Sequence, residues 1–134
     1  AQRAGADWDE PTPTPKYRPF PYAVLATPGL ARIGLSEGEA REAGLDVRIA
    51  KVPTAAIPRA KTLRYAGEGF WKAVVDANTH QILGATLIGP NVSEVITSVQ
   101  LAMAGSLTYE QLRFLPVAHP TMAEGLQILF DSLG

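Results

Sequence analysis

Two apolar segments that follow one another almost without pause constrain this fold most. Gly69 to Asp76 and Ile82 to Ile88 each read as a strand, with Asp76-Ala77-Asn78-Thr79-His80 as the polar turn between them. A link that short cannot carry a crossover, so the two strands must pair antiparallel. The rest of the chain has to be arranged around that hairpin.

Upstream, Tyr22-Ala23-Val24-Leu25-Ala26 reads as a short strand closed by Thr27-Pro28-Gly29. Ser36 and Glu39 have the spacing of a capping box, Leu35 can staple onto Ala40, and Gly44 is placed to end that helix. A strand from Asp46 to Val52 follows, and Pro53 ends its capacity to donate ladder bonds. Pro58, with Arg59, Lys61 and Arg64, predicts a loop or irregular edge over 54–67.

Downstream, Gly89-Pro90 closes the hairpin, and Asn91 with Glu94 forms a second cap-plus-three pair. Val92, Val95, Ile96, Val99, Ala102 and Met103 then recur at helical spacing, predicting a helix over 92–104 with one buried stripe and an end at Gly105. Periodicity alone leaves open whether that stripe faces the core or a two-fold interface. Thr108 with Gln111 starts a short helix that carries Leu112 inward. Thr121 with Glu124 starts the last one, with Met122, Leu126, Leu129, Phe130 and Leu133 along its apolar side. The layer rule then predicts an α+β fold, an antiparallel sheet of three to four strands with helices over one face.

Five prolines within residues 1–21 predict a Pro-rich tail or linker, leaving 22–134 as one domain. The chain opens on Ala1 rather than Met, as expected of a piece of a longer protein. Its 134 residues are 46% apolar, enough for a core. Twelve basic and 13 acidic residues are mixed along the chain, so there is no electrostatic footprint for nucleic acid. No apolar run approaches membrane-spanning length, so no membrane partner is expected. The absence of cysteine excludes a disulphide framework, a thiolate metal site and a redox-active thiol pair from this segment, and it fits a cytoplasmic protein.

The chemistry this segment can offer is limited. Neither dinucleotide-binding nor P-loop glycine patterns occur, so no cofactor is expected on this chain alone. Gly67-Glu68-Gly69 is followed by a strand rather than a helix. Gly84 lies within a strand, where a close backbone approach would account for it. The only histidines are His80 and His119, too few for a metal centre without carboxylates that the sequence cannot nominate. His80, in the polar turn, reads as an exposed surface residue.

His119-Pro120-Thr121-Met122-Ala123-Glu124 is different. Pro120 keeps His119 out of helical backbone and pre-sets the turn, while Glu124 falls at the third helical position. The imidazole is thereby held at a helix mouth beside a carboxylate. Glu124 can complete a capping box with Thr121, with His119 a mere linker residue. Alternatively His119 is an acid/base group whose tautomer Glu124 fixes. One carboxylate has enough acceptor sites for both duties. A small His/Glu-dependent hydrolase would need a nucleophile, and Ser93, Ser98 and Ser106 have no nucleophile-elbow context.

Three stretches together resemble the C-terminal dimerisation domain of the FAD-dependent pyridine nucleotide-disulphide oxidoreductases, the family of glutathione reductase, dihydrolipoamide dehydrogenase and mercuric reductase. They are Thr27-Pro28-Gly29-Leu30-Ala31-Arg32-Ile33-Gly34-Leu35-Ser36-Glu37, then Ile82-Leu83-Gly84-Ala85-Thr86-Leu87-Ile88-Gly89-Pro90 through Glu94, then His119-Pro120-Thr121 with Glu124. The resemblance runs from Tyr22 to Leu133. It implies a homodimer, with FAD and NAD(P) held by other domains of a parent enzyme. It also implies that His119 is the acid/base residue reaching the partner subunit's thiols, with Glu124 orienting it. A purely structural oligomerisation domain is the alternative. Val117 stands where dihydrolipoamide dehydrogenases usually carry a further His, and Ala123 where a Ser is common. Mercuric reductases generally have Tyr in place of the active His and end in a cysteine pair, so His119 and the lack of cysteine argue against mercury chemistry.

Overall fold

The computed structural model describes residues 21–24, 29–63, 65, 68–115 and 117–133. The expected Pro-rich tail, apart from Pro21, lies outside the described residues, as do Leu25, Ala26 and Arg64. The hairpin forms as the short polar link requires: β4 (Phe70–Asp76) pairs antiparallel with β5 (Ile82–Ile88). The Asp76 carboxylate accepts the Asn78 and Thr79 amides at 2.7 and 2.8 Å, which closes the turn. β3 (Val47–Pro53) adds antiparallel to β4, and β1 (Tyr22–Val24) pairs with β2 (Leu30–Gly34), which pairs with β5. The sheet order is β1-β2-β5-β4-β3.

The α+β class and the antiparallel sheet agree with the sequence reading, while the strand count and helix placement need correction. The sheet has five strands, not three to four, because Leu30–Gly34 is a strand of its own. Helices also lie on both faces. The main core packs α3 (Val92–Ala104) and α5 (Gly125–Asp131) over Ala31, Ile33, Trp71, Ala73, Val75, Ala85 and Leu87. On the opposite face, Ala40 of α1 (Glu37–Glu42) covers Val47 and Val74, with Leu35 packed beside it. Residues 54–67 hold a 3₁₀ turn, Thr54–Ala56, and a short helix α2, Pro58–Thr62, instead of the expected loop. Pro58 stands in the first turn of α2, where a missing N–H costs nothing.

Gly84 carries the close approach expected of it. A Cβ there would lie 2.0 Å from the Leu35 carbonyl oxygen, and the Leu35 amide donates to the Leu83 carbonyl at 3.0 Å. The β2–α1 connection is thus pressed onto β5. Ser36 and Glu39 form the full capping box, at 3.0 and 3.1 Å. Asn91 does not cap α3 through its side chain. It adopts φ 59° and turns the chain left-handed into the helix, a conformation Asn tolerates. The α3 stripe of Val92, Val95, Ile96, Val99 and Ala102 is consumed by the core. Each valine or isoleucine of the stripe contributes about 1.5–3 kcal/mol on full burial.

Candidate active-site histidine and its carboxylate

The C-terminal third of the chain delivers one imidazole to the surface. α4 (Tyr109–Arg113) is started by Thr108 and Gln111, whose reciprocal bonds are 2.8 and 3.4 Å. Phe114, Leu115 and Ala118 are exposed, and His119-Pro120 is a cis peptide. Next comes a 3₁₀ turn, Met122–Glu124, that flows directly into α5. Met122, Gly125 and Leu126 are buried on either side of Glu124, so the carboxylate is tethered to the core while the histidine is not.

His119 and Glu124, paired on spacing alone, meet. His119 Nδ1 lies 2.9 Å from both Glu124 carboxylate oxygens, and the Thr121 amide donates to Oε1 at 2.9 Å. The Thr121 hydroxyl donates to the Ala118 carbonyl at 2.7 Å and tightens the same turn. The carboxylate therefore closes the helix start and holds the imidazole at once. The His119 side chain is 67% exposed and that of Glu124 only 15%. The hydrogen bond from His119 and then that from the Thr121 amide hold the Glu124 carboxyl below its ordinary range, against a smaller opposing effect of burial. An ionised carboxylate can only accept, so it takes the proton on Nδ1 and leaves Nε2 with its lone pair. On a side chain that is 67% exposed, Nε2 can accept a proton, and the imidazolium that results stays paired with Glu124.

His80 is not the simple surface residue expected. Its Nδ1 is 2.7 Å from Glu110 Oε2, its ring lies 5.3 Å from that of Tyr109, and the two side chains of the ion pair are equally half-exposed. Thirty positions separate His80 from Glu110, so no local spacing could have announced the pair. Ser93 and Ser98 lie on α3 and Ser106 just beyond it, and none of them hydrogen-bonds His119. Among the described residues, no group of three or more His, Cys, Asp or Glu side chains is placed to hold a metal ion. No helix among them is long and apolar enough to cross a membrane. A cavity of about 270 Å³ beside the start of α3 is lined by Val24, Gly29, Gly89, Pro90, Asn91, Val92 and Ser93. Among the described residues, that lining has no cation and no glycine-rich strand-to-helix loop of the kind that holds a dinucleotide.

Residues 20–129 match the family described as pyridine nucleotide-disulphide oxidoreductase, dimerisation domain. The probable pyridine nucleotide-disulfide oxidoreductase RclA of Escherichia coli K12 is 42% identical over 111 residues, covering 83% of this chain and 25% of its own. The dihydrolipoyl dehydrogenase of Mycobacterium leprae is 39% identical over 117 residues, covering 87% of this chain and 25% of its own. The solved structure of the HOCl-induced flavoprotein disulfide reductase RclA from Escherichia coli superposes with a TM-score of 0.81 at 40% identity, covering 86% of this chain and 26% of that one. This chain therefore spans about a quarter of the length of the relatives it matches.

Proposed function

This chain belongs to the pyridine nucleotide-disulphide oxidoreductase family, as its dimerisation domain, and from that premise we propose that it joins two subunits and lends His119 to the partner subunit's active site. The observation that carries this reading is the disposition of the pair: a carboxylate fixed at a helix start, and an imidazole anchored through Nδ1 on a side chain that is largely exposed. A purely structural histidine gains nothing from such exposure. An imidazole meant for a group on another subunit requires it. Phe114 and Leu115, four to five positions earlier in sequence, are 71% and 46% exposed and offer apolar surface for a second copy to cover.

In this proposal FAD and NAD(P) are bound by other parts of a longer parent and supply the reducing equivalents. The residues of this chain move a proton. His119 Nε2 takes the proton of a thiol, which becomes the nucleophilic thiolate, and the imidazolium is stabilised by Glu124. When a disulphide opens, the same proton passes to the departing thiolate and neutral His119 is restored. No proton is lost in the cycle.

The test is His119→Gln in a complete flavoenzyme that carries this domain. Disulphide turnover is expected to fall by roughly 10²–10⁴-fold, with flavin content and flavin reduction by NAD(P)H retained. Unchanged turnover at all pH values would leave a structural oligomerisation domain as the better reading. Sedimentation of the same protein is expected to give a dimer.

A further inference from the structure

We infer that Trp71 and Gly125 are positioning residues for the His119–Glu124 pair, forming a seat that sets how far the carboxylate stands from the sheet. This inference rests on the acid/base reading of His119 for its catalytic consequence, though not for its geometry.

Gly125 directly follows Glu124 and is buried at the first position of α5. A Cβ added there would lie 2.5 Å from Trp71 Cζ3, 2.8 Å from Trp71 Cη2 and 2.6 Å from Ile57 Cδ1. The two indole atoms belong to the six-membered ring of a side chain with no exposed surface, in the middle of the core, so they cannot give way. Ile57 Cδ1 is the end of a flexible chain and can rotate aside. The indole therefore decides the approach, and glycine is the residue that lets the helix start rest flat upon it.

Trp71 itself argues for such a role. Its Nε1 is buried without a hydrogen-bond partner among the described residues. A phenyl ring at that position would carry no such desolvation cost. What the indole adds over a phenyl ring is the fused ring whose edge meets Gly125. The preceding residue, Glu124, must place one carboxylate within 2.9 Å of both an imidazole nitrogen and a backbone amide. A displacement of α5 by part of an ångström moves that carboxylate relative to the exposed segment carrying His119.

The experiment uses the complete flavoenzyme with ¹⁵N-labelled histidine. Imidazole nitrogen shifts at mildly alkaline pH read the tautomer of His119, with Glu124→Ala as the reference for a lost pairing. Gly125→Ala is expected to move His119 towards that reference and to lower kcat roughly 10–100-fold with KM within about two-fold. Trp71→Phe alone shifts the same signal less. Combining Trp71→Phe with Gly125→Ala makes room for the methyl group and brings both readouts back towards wild type. A wild-type tautomer in Gly125→Ala overturns the inference, as do losses that multiply in the double variant. If Gly125→Ala does not fold, a folded, flavin-loaded double variant supports the seat and an unfolded one overturns it. If His119→Gln keeps full turnover, the acid/base reading fails by itself, and the tautomer shifts still judge the seat.

Discussion

The chain holds two histidines, each 2.7–2.9 Å from a glutamate, and the two pairs are built differently. His80 and Glu110 come from different elements, the β4–β5 turn and α4, and are exposed to the same extent. Their backbones are joined as well, since the Tyr109 amide donates to the His80 carbonyl at 2.9 Å. The Tyr109 ring lies against the imidazole, and its hydroxyl accepts from Arg48 at 3.2 Å. His119 and Glu124 are five positions apart in one turn, with the carboxylate sheltered and the imidazole exposed. The first pair ties two parts of the fold together, with its two side chains equally exposed. The second lies within one turn and leaves its imidazole far more exposed than its carboxylate. Distance alone would make the pairs equivalent; where the partners come from and which one is exposed distinguish them.

The largest expected effect separates the pairs by activity. In the complete flavoenzyme, His80→Asn should leave disulphide turnover within about two-fold, against the 10²–10⁴-fold loss expected roughly for His119→Gln. Asn is the suitable probe because it tolerates the φ of 64° at position 80. Equal losses at the two positions, measured as kcat/KM against a disulphide substrate, would abolish the distinction.

The two pairs also differ in how readable they were. His119, Pro120, Thr121 and Glu124 lie within one helix start, where backbone rules alone bring them together. His80–Glu110 is a product of tertiary structure. The same divide explains what was missed in the sheet. The β4–β5 hairpin follows from two apolar runs and a polar turn, but β2 owes its strand to long-range pairing, Ile33 with Ala85 and Gly34 with Gly84. Its five residues, ending in a glycine just before the Ser36 cap, carry no pattern of their own. α1 is too short to declare which face it covers, and its burial against Val74 becomes visible only once β4 is in place.

Thermal stability should invert the ranking. His80→Asn removes a bond between two elements and is expected to lower Tm by about 3–5 °C. His119→Asn removes a bond within one exposed turn and should shift it by about 1 °C or less. Differential scanning calorimetry of the purified chain checks both, and a larger fall for His119 would mean that the second pair is structural after all.

A smaller effect reaches the first pair through its helix. Thr108 caps α4, and Thr108→Ala is expected to cost about 0.5 kcal/mol, the low end for a cap whose bond to the Gln111 amide is as long as 3.4 Å. Glu110 sits in the first turn of that helix, so the His80 ring resonances should broaden or shift. Those of His119 should not move, because Glu124 belongs to another helix start. A His119 response of the same size, seen by NMR, would show the two pairs to be coupled.

The smallest difference concerns acid. Burial raises the Glu110 carboxyl, but the hydrogen bond and charge of His80 and the backbone amide at the helix start outweigh it and hold the group below its ordinary 4.5. Glu124 is lowered by His119 and the Thr121 amide. A carboxyl lowered on folding contributes stability that is complete above the ordinary value and is lost as pH falls through the lowered one. Both pairs should therefore make the chain less stable on going from about pH 5 to pH 3, and Glu37, Glu39 and Asp76 add to the same slope. Glu110→Gln and Glu124→Gln should each flatten it slightly, since water screens these groups. The location of the change is what separates them in amide hydrogen exchange. Acid acting on Glu110 should loosen the β4–β5 turn and α4 together, because that pair spans both. Acid acting on Glu124 should loosen only the turn at 119–124, where both partners of that carboxylate, the His119 ring and the Thr121 amide, reside.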